Sequence, residues 1–185
     1  NYLKTIFTYC VCFVILFSFS SLEETPINGN TLDSDKLEEL IMVKVNNLRA
    51  SKKLNRLELN PILEKAAQDH ATYLKGFGKL SHNQKVRKKK TPMERTDFYK
   101  GNFSFVGENV AYTYLNESVV GVKNKRNAQV LDTYEKAAQY IFDLWRYSRD
   151  HYVNMVDKDF KLSRIRFSYD NKTKRIYAVH VFGAN

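Results

Sequence analysis

The sequence predicts an α+β fold in which helices pack on a small antiparallel sheet. Three observations predict it. Apolar residues recur at helical spacing in stretches that begin near residues 35, 60 and 132. Residues 164–169 and 176–182 read as strands on either side of the turn Asp170-Asn171-Lys172-Thr173-Lys174. The resulting order is helix, helix, strand, helix, strand, strand, for which helices on an antiparallel sheet are the economical arrangement.

The first twenty residues differ in kind from the rest. Lys4 is the only charge before Glu23, and Ile6 to Phe19 is apolar apart from Thr8, Tyr9 and Ser18. The small residues Ser18, Ser20 and Ser21 then precede Glu23-Glu24. A positive start, a short apolar core and small residues in that order spell a secretory signal over 1–21, which places the remainder outside the cytoplasm. The rival reading is a retained anchor, although an apolar run of ~14 residues is short for a span of ~20. Both cysteines, Cys10 and Cys12, fall in this segment, so the rest excludes a disulfide scaffold and must rely on its core. Hydrophobic residues at 43% and aromatics at 14% are sufficient for one. A chain of 185 residues suits one domain, here expected over 36–183.

Residues 22–35 are polar and turn-rich and read as a linker. Asp33 or Ser34 caps a helix over 35–51, with Leu37, Leu40, Ile41, Val45 and Leu48 as its buried stripe. Leu57-Glu58-Leu59 is a short extended link. Asn60-Pro61 opens a second helix, with Asn as cap and Pro in the first turn, and Gly76 or Gly78 stops it. Its apolar face holds Leu63, Ala66, Ala67, Ala71, Leu74 and also His70, which reads as a satisfied core residue. Thr91-Pro92-Met93-Glu94-Arg95 has the form of a capped short helix. Val106 to Tyr112 reads as the first strand and 115–131 as a surface loop. Asp132 caps a helix whose face carries Tyr134, Ala138, Ile141, Trp145 and Ser148, so Ser148 is expected to point inward. A short helix through His151, Asn154 and Met155 follows. Ile165, Phe167 and Tyr169 then alternate with Arg164, Arg166 and Ser168, as in a strand with one wetter face.

The formal net charge is +10, and its densest run is Lys85-Val86-Arg87-Lys88-Lys89-Lys90. Such a run is either a solvated loop or a contact for an anionic cell surface. No aromatic residue interleaves it and no nucleic-acid-binding motif accompanies it, so nucleic acid is not the expected partner.

Three separated pieces carry chemistry: Ser81-His82, Gly107-Glu108-Asn109, and Trp145 through Met155 with Ser148 and His151. With Leu80, the Thr91–Arg95 group, Val110-Ala111, Asn154-Met155 and the closing Val181-Phe182-Gly183, they resemble the CAP superfamily. That is the secreted domain shared by cysteine-rich secretory proteins, antigen-five venom proteins and pathogenesis-related proteins. The pieces stand in family order and span nearly all of 36–183. The compact Trp-x-x-Ser-x-x-His step and the lack of cysteines after Cys12 resemble the bacterial branch.

The resemblance implies a three-layer α-β-α sandwich of the CAP type, with a cavity lined by two histidines and acidic side chains. The matching residues are His82, His151 and Glu108. Where many animal members have a second glutamate, this sequence has Ser148, so the site is incomplete by that standard. Neutral imidazoles with a carboxylate suit zinc or another divalent cation, which makes His82, His151 and Glu108 the expected metal set. Ser148 and Asn109 are expected at the binding site. The resemblance implies lipid, sterol or protein partners for a secreted binding module. The alternative is a metal-dependent extracellular peptidase with Glu108 or Ser148 as its catalytic group. Neither Gly-x-Ser-x-Gly nor His-Glu-x-x-His occurs. A third reading makes the same residues a buried hydrogen-bonded network that only fixes the fold.

Overall fold

The structure, a computed structural model, describes residues 24–28 and 31–185. The expected signal segment 1–21 lies outside the described residues. Helix α1 (Ser34–Ser51) starts where Asp33 accepts the Lys36 N–H, and α2 (Pro61–Phe77) starts where Asn60 accepts from Ile62 and Leu63. Helix α2 ends at Gly78, whose φ of 76° is the left-handed conformation that stops a helix at little cost. Thr91 caps α3 (Pro92–Phe98) by accepting the Glu94 N–H.

The sheet runs β1-β5-β6-β2, with β1 (Glu58–Leu59), β2 (Phe105–Tyr114), β5 (Leu162–Asp170) and β6 (Arg175–Ala184). Strands β2, β6 and β5 are antiparallel, whereas β1 adds to β5 in parallel, with Glu58 opposite Leu162. The short link foreseen at 57–59 is therefore an edge strand. Helix α2 covers one face of β5 and β6. Helices α1, α4 (Tyr134–Arg146) and α5 (Arg149–Val156) lie on the other. Alternation along β6 feeds both layers: Ile176, Ala178 and Phe182 enter the larger core with Ile41 and Trp145, while Tyr177, Val179 and Val181 meet Leu63, Ala67 and Leu74 of α2. The expected α-β-α sandwich is the one observed.

Several local expectations change. Residues 115–131 are not simply a surface loop: β3 (Ser118–Val120) pairs with β4 (Ala128–Val130), and Leu115, Val119 and Leu131 are buried. Those buried positions are too widely spaced to show a period. The cap of α4 is Thr133, which accepts the Lys136 N–H, while Asp132 pairs with the Lys136 ammonium. Helix α4 ends at Arg146, so Ser148 leaves its buried stripe and becomes the half-buried residue before α5. In the stretch expected to be a linker, Pro26 bridges Thr133 and Ile27 is buried against the main core.

Candidate functional site

Strand β2 is the outer strand of the sheet, so the elements on both faces can reach its edge. Consecutive residues of a strand point to opposite faces, and here Glu108 turns toward α2 and α3 while Asn109 turns toward α5. The Glu108 carboxylate is clamped from three directions. Its Oε2 lies 2.5 Å from Arg95 Nη2, and both side chains are wholly buried. Its Oε1 lies 3.0 Å from His82 Nδ1 and 3.5 Å from His70 Nε2. The other Arg95 nitrogen, Nη1, donates to the carbonyls of His82, Lys89 and Lys90, and so ties the basic loop to α3.

These contacts assign the protons. A carboxylate only accepts, so His82 carries a proton on Nδ1, and in the neutral ring Nε2 is then the acceptor. Its side chain is 51% exposed, and that acceptor sits on a ring open to solvent. His70 faces two acceptors with Nε2, the Ser81 carbonyl at 2.7 Å and Glu108, so Nε2 is its donor. Its Nδ1 accepts from Gln84 Nε2 at 3.1 Å. Burial holds the His70 pKa below its ordinary value, against the pull of Glu108, so the ring is neutral. His70 is the satisfied core residue that its place on α2 predicted, and it also braces Glu108.

On the α5 side Asn109 is fully buried. Its amide donates to the His151 carbonyl at 2.9 Å and accepts from Asn154 Nδ2 at 2.8 Å, while Asn154 also reaches the Glu108 carbonyl. Asn109 thus fixes the start of α5, and with it His151, against β2. The His151 pKa is held low by burial first and then by the nearby His82. Its buried Nδ1 has no hydrogen-bond partner.

His82 and Glu108 are joined directly, and His151 lies near enough to His82 that protonating both rings is disfavoured. Asn109 supports the site from behind. Ser148 caps no N–H with its side chain and its hydroxyl is bonded to neither imidazole; Asp150 is exposed. Arg95 and His70 are the contributors that sequence reasoning missed. A positively charged residue in the last turn of a short helix carries no signal of burial. Both Glu108 oxygens are committed, and among the described residues no three His, Cys, Asp or Glu side chains are grouped to hold a metal ion. The expected metal set therefore does not fit with Glu108 as a direct ligand. Glu108 stands instead where an outer carboxylate orients an imidazole. A groove of about 800 Å³ runs between α2 and the basic loop, but it is lined by residues such as Gln84, Lys89 and Tyr99 and not by the expected site residues.

The pattern described as "CAP: Cysteine-rich secretory protein family" matches residues 43–182. The chain belongs to this family. Among solved structures, the CAP fold is shared with an outer surface protein from Borrelia burgdorferi. That match has a TM-score of 0.63 and 18% identity, and covers 88% of this chain and 98% of that one. An extracellular protein containing an SCP domain from Bacillus anthracis matches with a TM-score of 0.62 and 18% identity over 82% of this chain. A cysteine-rich secretory protein from Staphylococcus aureus matches with a TM-score of 0.57 and 12% identity over 83% of this chain. The alignment spans only 41% and 40% of the Bacillus and Staphylococcus chains. No curated protein matches the sequence.

Proposed function

We propose that this CAP domain is an extracytoplasmic ligand-binding module whose recognition centre is the His82–Glu108 pair, with His151 beside it. The observation that carries the reading is the wholly buried Arg95–Glu108 ion pair, which fixes a carboxylate behind a half-exposed imidazole. Because Glu108 takes the Nδ1 proton, His82 offers Nε2 as an oriented acceptor. A lipid or sterol hydroxyl satisfies such an acceptor, as does a backbone N–H of a protein partner. The secretory character of residues 1–21 supports the setting, as do the extracellular and outer-surface relatives that share the fold.

Fluorescent dehydroergosterol and a fluorescent fatty acid are the probes. Wild type is expected to bind at least one of them, and His82→Ala to weaken it about tenfold, as the loss of one strong hydrogen bond would. If wild type binds neither probe, the lipid reading is lost.

A second reading rests on His151, a neutral imidazole with an orphaned buried Nδ1 near His82. Two imidazoles with Glu108 behind one of them would be the protein's donors to zinc. Titration calorimetry should then show a zinc heat that His82→Ala and His151→Ala each remove, and the absence of heat with wild type would end this reading. The peptidase alternative has less support, because the Ser148 hydroxyl is bonded to neither imidazole. It requires turnover of a peptide substrate that Glu108→Gln abolishes.

A further inference from the structure

The loop that carries His82 also builds a surface that the ligand-binding reading does not use. Lys85, Arg87, Lys88 and Lys90 stand exposed along it, with Lys79 before it and Lys100 after it. Over residues 75–100 Asp97 is the one exposed carboxylate, since Glu94 is half-buried and takes the Lys90 N–H. Lys89 is excluded from this set because it is turned inward, where it is paired with Asp69 and bonded to Tyr99.

Charge is only half of the surface. Phe77, Leu80, Val86 and Phe98 each leave 41 to 45% of their area in water. Phe77, Val86 and Phe98 are linked through shared neighbours. The Lys85 ammonium lies over the Phe77 ring at 6.0 Å, and Val86 shares a groove with Tyr73, Lys89 and Tyr99. The Lys89 ammonium lies over the Phe98 ring at 4.1 Å, and Phe98 in turn shares a second groove with Lys88 and Lys100. The sequence hid this arrangement, because the basic run itself contains no aromatic residue. The aromatics come from the end of α2 and from α3 and are brought to the run by folding.

We infer that this face docks the protein on an anionic lipid bilayer, with the lysines and Arg87 at the headgroups and Phe77, Val86 and Phe98 in the interfacial layer. A soluble polyanion would satisfy the positive charges but offers nothing to Phe77, Val86 and Phe98. The bilayer interface takes both kinds of side chain at once.

The test is sedimentation with mixed phosphatidylcholine–phosphatidylglycerol vesicles and with pure phosphatidylcholine vesicles. Wild type is expected to bind the anionic vesicles and not the neutral ones. Each lysine near an anionic surface is worth about fivefold in affinity, so Lys85→Gln/Lys88→Gln/Lys90→Gln should weaken binding about 100-fold. At about 1 M salt the screening length falls to ~3 Å, so wild type should be released there just as it fails to bind neutral vesicles, while at low salt Val86→Ser/Phe98→Ser should weaken binding to the anionic vesicles about tenfold. These side chains are exposed, and an unchanged thermal midpoint would confirm that the variants fold. The triple lysine variant should still bind the fluorescent probes as wild type does, which separates this surface from the His82–Glu108 reading. No binding by wild type, or equal binding to neutral vesicles, overturns the inference. So does a Val86→Ser/Phe98→Ser protein that binds like wild type and is displaced by heparin or nucleic acid, because the face would then serve a soluble polyanion.

Discussion

Glu108 has a buried arginine on one oxygen and an imidazole on the other, and this fixes the outcome of changing it. Glu108→Gln keeps the shape but leaves the Arg95 guanidinium charged, buried and unpaired. Breaking a buried pair from one side costs about 3–5 kcal/mol. Urea unfolding should show a loss of that size for Glu108→Gln. The double variant Arg95→Met/Glu108→Leu should lose much less, because it leaves no isolated charge. Equal losses in the two would mean that packing, not the charge, sets the cost. The same contacts explain which site residues could be read from the sequence. His82 and Glu108 stand in short recognisable strings and were expected to share a pocket, whereas the direct bond between them was not foreseen. Arg95 was quoted in its string, but its role depends on a carboxylate thirteen residues on that only folding brings to it. Ser148 misled for a local reason: the apolar stripe of α4 extrapolates to it, but the helix stops at Arg146.

At the level of elements, two glycines should behave in opposite ways when replaced by alanine. A Cβ on Gly107 would come within 2.6 Å of Phe160 Cζ. Phe160 is wholly buried and stacked between Phe105 and Phe182, so it has nowhere to go. Gly107→Ala should cost about 1–3 kcal/mol through overpacking between β2 and Phe160 in the segment before β5. Gly76 lies inside α2 with nothing within 4 Å of an added Cβ. Gly76→Ala should stabilise by about 0.4–1 kcal/mol, because it restricts the unfolded chain at a position where alanine fits. Thermal or urea unfolding of the two variants checks the opposite signs. Among the elements themselves, α1 and α2 were legible because long amphipathic periods and capping residues agree, and α4 from its period, its cap being Thr133 one residue past the expected Asp132. Strands β1, β3 and β4 were not, because two or three residues cannot display a period of two. Their existence depends on a partner strand, and the parallel pairing of β1 with β5 has no local sequence signal at all.

For the whole molecule, the buried histidines set the response to acid. His180 on β6 is completely buried, with its ring 5.5 Å from Trp145 and 3.8 Å from Phe182, and neither ring nitrogen has a hydrogen-bond partner. Burial, and then the Arg49 guanidinium, hold its pKa well below the usual value for histidine. Arg49 cannot be moved away, since it donates to the carbonyls of Asn55, Met155, Asp157 and Phe160 and so locks the end of α5 onto α1. His70 and His151 are also held low, again mainly by burial. All three rings therefore stay neutral in the folded protein at a pH where the unfolded chain has begun to bind protons. Stability is greatest above the unfolded histidine pKa of about 6.5 and falls as the pH drops below it, by up to about 1.4 kcal/mol per pH unit for each ring. Carboxylates act lower on the scale. Asp69 is pushed up by burial, but its hydrogen bonds from Lys89, Tyr99 and Gln84 more than offset this and hold its pKa below the usual range. Its stabilisation is lost only as the pH falls through the region below about 4. Two limbs should therefore appear when the free energy of unfolding is plotted against pH. His180→Leu, which cannot titrate, should flatten the limb between about pH 6.5 and 5. Asp69→Asn should leave that limb alone and flatten the lower one. An unchanged upper limb in His180→Leu would mean that this ring is not the proton acceptor that limits the folded state in weak acid.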